Sequence, residues 1–170
     1  VVISGYEHNA VTRPLTALKA KVSVAGGPLF DQEAAIRAFD ELIAPGVDVV
    51  ICNHVSNVFG FVQPVEKVAA LCRSRGVPLI VDEAHGAHFR FSDYFPVSAA
   101  QLGADVVINS VHKTLPCLTQ TGVIHLCSDR VSREKLKRFL GIYQSSSPSY
   151  VLMASIENSI FLMDQYRKEG

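Results

Sequence analysis

The sequence predicts an α/β protein: a mostly parallel sheet with helices on both faces. Two patterns carry that prediction. Six apolar runs have strand length, and segments of helical period alternate with them along the 170 residues. Size agrees, because a single domain of this length with 48% hydrophobic residues has ample material for a core. Right-handed crossovers are expected to join the parallel strands.

The elements follow in order. Residues 1–4 open with an apolar strand, and 9–18 take up helical period. A second strand is expected at 21–24, followed by a helix over 31–42 with Asp31 as its N-cap. Residues 47–52 are rich in Val and Ile and read as a buried strand. The helix at 64–75 would take Pro64 as its first residue, where a missing N–H costs nothing. Strands at 77–81 and 105–108 come next, then one at 122–127. No crossover helix is evident before that last strand, so it is expected to run antiparallel. Helices over 132–140 and 150–166 complete the chain, the second entered through a loop at 145–149 (SSSPS). There is no internal repeat or low-complexity tract.

Charge and cysteine content narrow the function. Sixteen Lys and Arg balance sixteen Asp and Glu, which gives no electrostatic pull toward nucleic acid or an acidic membrane. The apolar runs are too short to span a bilayer, and no signal peptide precedes the first strand. Cys52, Cys72, Cys117 and Cys127 have no paired or zinc-like spacing, so free thiols in a reducing cytoplasm are expected.

Chemistry concentrates at two strand ends. Lys113 follows the run at 105–108, and Asp82 ends the run at 77–81. In α/β sheets ligands bind beyond the carboxyl ends of strands. A lysine held at a packed sheet edge is partly desolvated, which frees its amine for Schiff-base formation with an aldehyde. Ser110 and His112 flank it with donors for an anion, and pyridoxal 5'-phosphate is an aldehyde that carries its own anion. Such sites also supply an acid for the pyridinium nitrogen, a role open to Asp82.

Other motifs are weaker. The Asp-Glu-Ala-His string at 82–85 matches a helicase box, but no GxxxxGK loop exists to cradle a triphosphate. Asp82, His85 and His88 have the atom types of metal ligands, though only a helix starting there would align them. No GxSxG elbow supports a serine hydrolase.

Residues 81–89 (VDEAHGAHF), 103–105 (GAD), 110–116 (SVHKTLP) and 118–122 (LTQTG) resemble the major domain of the ornithine/lysine/arginine decarboxylases. Residues 146–150 (SSPSY) and 152–155 (LMAS) extend the resemblance across 81–157. These are pyridoxal phosphate enzymes of fold type I, the aspartate aminotransferase superfamily. In the first half, 7–15 (EHNAVTRPL) and 53–60 (NHVSNVFG) resemble cysteine desulfurases and class V aminotransferases, which share fold and cofactor.

The resemblance implies the central part of a fold type I large domain spanning 1–170. The upstream phosphate loop and small C-terminal domain of such enzymes are not found in it. It is therefore read as a piece of something longer, inactive in isolation. The implied activity is decarboxylation of lysine, ornithine or arginine through a Schiff base at Lys113; desulfuration or transamination is the alternative, and a non-catalytic truncated relative is a third. Asp82 would pair with the pyridine nitrogen, His8 stack on one ring face and Ala84 pack on the other. His85 and Asn57 would lie near the phenolic oxygen or the substrate carboxylate. Ser110 and His112 would hold the phosphate, and Ser147 would reach the phosphate of a neighbouring subunit in a homodimer or larger homo-oligomer.

Several of these residues also have structural readings. His8 suits a helix cap, Asn57 and Gly60 suit a turn, and Ser146 and Ser147 suit the cap of the last helix. His88 is expected to be structural, and His54 and His125 to be satisfied core or surface histidines.

Overall fold

The computed structural model describes residues 1–144 and 147–169, so Ser145 and Ser146 of the serine loop lie outside the described residues. Each apolar run yields a strand: β1 (Val2–Ser4), β2 (Ser23–Ala25), β3 (Val50–Asn53), β4 (Leu79–Asp82), β5 (Val106–Asn109) and β6 (Val123–Leu126). They form one sheet in the order β2-β1-β3-β4-β5-β6. The first four pairings in that order are parallel and β5–β6 is antiparallel, as the missing crossover helix predicts.

The helices are α1 (Asn9–Ala17), α2 (Gln32–Leu42), α3 (Val65–Ser74), α4 (Val111–Thr114), α5 (Arg133–Tyr143) and α6 (Tyr150–Glu169). Asp31 caps α2 as expected, its Oδ1 accepting from the Ala34 N–H at 2.8 Å. Pro64 does not begin α3. Its ψ of 60° is not helical, and the first turn starts at Val65. β3 starts three residues later than the apolar run does, because Gly46 at φ +92° and the Val47 N–H to Ala44 carbonyl bond hold the chain in a turn there. α5 runs through Gly141 to Tyr143, and α6 continues three residues past the expected end. No described helix is long and apolar enough to cross a membrane.

The core lies between the sheet and α2 and α3. Cys52, Val81 and Val107 stand in register across β3, β4 and β5, all essentially inaccessible, and Phe39, Ile43, Val68 and Cys72 pack against that row. Ala99 and Ala104, from the β4–β5 crossover, close the same face. The chain moves outward from β1 to β2 and then back past β1 to β3. With right-handed crossovers this reversal puts α1 on the opposite face. It also opens a crevice where β1 and β3 diverge.

At the opposite edge, fully buried Asp105 accepts from the Leu79 N–H (2.7 Å), Arg130 Nε (2.8 Å) and Ser128 Oγ. These bonds tie β4, β5 and the turn after β6 together away from the crevice.

Candidate active site

β1, β3, β4 and β5 are parallel, so the segments that leave them emerge on one edge of the sheet. They enclose a pocket of about 290 Å³, lined by His8, Asn57, Asp82, Ala84, His85, Ser110 and Lys113 among others. Chain positions more than a hundred residues apart meet there because the ladders Asn53↔Asp82 and Asp82↔Ile108 place three strand ends side by side.

Asp82 is the last residue of β4 and half-buried. Its Oδ1 accepts from the Ala84 N–H at 3.0 Å, which fixes the carboxylate beneath the pocket. Beside it Ile108 leaves 38% of its surface open, and Ala84 is half-buried, so apolar surface borders the carboxylate. His8 is the N-cap of α1, with Nδ1 accepting from the Ala10 N–H at 3.1 Å. The capping role therefore holds, and the bond orients the ring at the pocket wall. Asn57 likewise occupies a turn and lines the pocket. Val55 and Val62 pair across a tight hairpin, Ser56 Oγ accepts from the Val58 and Phe59 N–H groups, and Gly60 supplies φ +68°.

Lys113 is not at the strand end itself. It sits in the single turn of α4, where its N–H bonds the Ser110 carbonyl at 3.1 Å. The expectation of a desolvated lysine is not met in this chain. Lys113 is exposed, because α4 carries it beyond the packed end of β5 to the pocket mouth. His85 shares that mouth. Its pKa is held below the usual histidine value by burial, then by Lys113 and His8, against the pull of Asp82. A neutral ring at pH 7 is able to take up a proton.

His112 and Ser147 are not brought into the pocket. His112 Nδ1 donates to the Thr121 carbonyl at 2.8 Å, holding the ring toward the approach to β6, and Ser147 is exposed. Asp82, His85 and His88 do not converge as ligands. His88 sets its ring edge-on to Phe89 and Phe95, and the described residues contain no group of three metal-ligating side chains.

The floor of the pocket is a buried network around Glu83. Strand alternation turns Glu83 away from Asp82, to 3% exposure. Its Oε1 accepts from His54 Nδ1 (2.8 Å) and the Ala99 N–H (2.7 Å), and its Oε2 from Asn109 Nδ2 (3.1 Å). His54 is thus a satisfied core histidine, while His125 is exposed on β6. Gly86 belongs to the same packing. A β-carbon there would overlap Glu83 Cγ and sit 2.7 Å from the Phe89 ring. Glu7, also unassigned from sequence, bonds the Asn53 N–H at 2.7 Å behind the pocket.

A family model described as Orn/Lys/Arg decarboxylase, major domain, matches residues 29–169. The chain belongs to this decarboxylase family. Its enzymes use pyridoxal 5'-phosphate. Among curated relatives, the arginine decarboxylase of Halalkalibacterium halodurans is 39% identical over 99 residues, covering 58% of this chain and 20% of that protein. A probable cysteine desulfurase of Mycolicibacterium paratuberculosis is 31% identical over 116 residues, covering 66% of this chain and 16% of that protein. The crystal structure of ureidoglycine-glyoxylate aminotransferase from Bacillus subtilis superposes with a TM-score of 0.74 at 16% identity, over 96% of this chain and 46% of that one, a likeness of fold. The decarboxylase-family chain spans about a fifth of the length of the arginine decarboxylases it matches.

Proposed function

We propose that this chain is the cofactor-binding portion of the large domain of a carboxy-lyase acting on lysine, ornithine or arginine, with Lys113 as the amine that carries pyridoxal 5'-phosphate. One observation carries the reading: Asp82, at the end of β4, and Lys113, in the turn that leaves the neighbouring β5, line the same pocket.

The donor set fits the cofactor. An exposed amine suits an aldehyde, a carboxylate suits a ring nitrogen, and apolar surface from Ala84 and Ile108 suits a flat ring. When bound, the cofactor supplies an aldehyde for an amine and a protonated ring that takes up the electron pair left as carbon dioxide departs. Asp82, oriented by the Ala84 N–H, would hold the proton at the ring nitrogen. His8, oriented by its capping bond, would cover one ring face. His85 and Asn57 would contact the phenolic oxygen or the substrate carboxylate, with His85 free to take a proton. Ser110 would donate to the phosphate. His112, held toward Thr121, would lie outside this set. Ser147, on the exposed entry to α6, would serve a second copy in a homo-oligomer. The four free cysteines, two of them buried, support a cytoplasmic setting.

The identity to a probable cysteine desulfurase favours a second reading, desulfuration of cysteine. One assay separates the two. The native protein, purified from its source, is given carboxyl-labelled lysine, ornithine, arginine and cysteine. Labelled carbon dioxide is expected from a basic amino acid and not from cysteine, whereas sulfide from cysteine without carbon dioxide from any substrate would overturn the decarboxylase reading.

A further inference from the structure

Glu7 precedes His8 and occupies the crevice between the ends of β1 and β3. Its Oε1 accepts from Ser4 Oγ and the Asn53 N–H, while its Oε2 is buried without a partner. Asn53 in turn donates from Nδ2 to the Tyr6 carbonyl at 3.1 Å and stands opposite Asp82 in the β3–β4 ladder. The titratable groups that act on Glu7 are Asp82 from β4 and the Cys52 thiol from β3, with no lysine or arginine among them. An ionised Oε2 would therefore be left with neither a hydrogen bond nor a compensating charge, and would face a second carboxyl group.

We propose that Glu7 is a positioning residue that works as a neutral acid. With Oε2 protonated and uncharged, its Oε1 holds the β1–β3 crevice through Ser4 and Asn53, beside Asp82 and next to His8, and loss of that proton buries an unpaired charge that loosens the pocket. The inference rests on the cofactor reading of this pocket and deepens it.

Burial pushes the Glu7 carboxyl up from 4.5 to about 7, helped by Asp82 and opposed by the bonds from Ser4 and Asn53. The sign follows. Between these values the folded protein binds a proton that the unfolded chain has lost, so stability falls as pH rises. The contribution is complete below the unfolded value and gone above the folded one.

The test follows thermal unfolding without added cofactor from about pH 5 to about pH 8.5, together with the infrared carbonyl band of a protonated acid. In the wild-type protein the midpoint is expected to fall by roughly 5 to 10 °C across the window, and the band to vanish through neutral pH. Glu7→Gln keeps a neutral side chain and an acceptor for Ser4 and Asn53. It should show neither the slope nor the band, and should keep pyridoxal phosphate at high pH where the wild type loses it. A wild-type slope that persists in Glu7→Gln overturns the inference. If that variant does not fold, Asp82→Asn decides. Removing the neighbouring negative charge should move loss of the band to lower pH, and an unmoved or absent band again overturns the inference. If the unfolding slope and band behave as expected but no protein retains pyridoxal phosphate at any pH, it is the cofactor reading that fails.

Discussion

Asp82→Asn is expected to weaken retention of pyridoxal 5'-phosphate by about a hundredfold, the equivalent of roughly 3 kcal/mol for a charged partner removed from a desolvated pair. Asparagine keeps an oxygen for the Ala84 N–H, so the turn after β4 survives while the charge is lost. Half-burial strengthens that charge relative to an open surface, and apolar Ile108 and Ala84 border the same space. Decarboxylation should fall at least as far, because the ring nitrogen would no longer hold its proton while carbon dioxide leaves. The measurement is an absorbance titration with the cofactor. An affinity within twofold of wild type would mean that Asp82 faces something other than a ring nitrogen.

Glu83→Ala is expected to cost about 3 to 5 kcal/mol of folding stability, the range for breaking a buried pair by removing one partner. His54 Nδ1 and the Ala99 N–H would lose their acceptor, Asn109 Nδ2 would keep only the Glu83 main-chain carbonyl, and His54 is only 1% exposed. The damage should reach the pocket. Asn109 immediately precedes Ser110 and α4, so with one of its two Glu83 bonds gone it holds the turn that carries Lys113 less firmly. Urea unfolding measures the loss through a lowered midpoint at unchanged slope. A change below about 1 kcal/mol would show that the network is dispensable.

The parts of this site that depend on strand ends were legible before the fold was known. Asp82 and Lys113 each follow an apolar run, and adjacent parallel strands bring such positions together without any detail of packing. The Asp31 cap and the antiparallel final strand were legible for similar reasons, since both depend on a few neighbouring residues. What could not be read was short or distant. Four residues give α4 no helical period, so the sequence alone places Lys113 at a packed sheet edge, whereas it stands one turn beyond it. Glu7 is buried by Ser4 and by Asn53, 46 positions away, and no local pattern distinguishes it from a solvated acid. Glu83 and His54 meet across 29 positions, as strand alternation turns one acid of the Asp-Glu pair into the core and leaves the other in the pocket. His112 and Ser110 flank Lys113 alike in sequence, but the Thr121 carbonyl draws His112 away while Ser110 stays at the pocket wall.

The central claim is that Lys113 carries the cofactor. The protein is incubated with pyridoxal 5'-phosphate, reduced with borohydride and digested, and the adduct is located by peptide mass spectrometry, with Lys113→Ala as the control. One stoichiometric adduct at Lys113 is expected, and it disappears in the control. Labelling scattered over surface lysines, or persisting at the same level in Lys113→Ala, would contradict it.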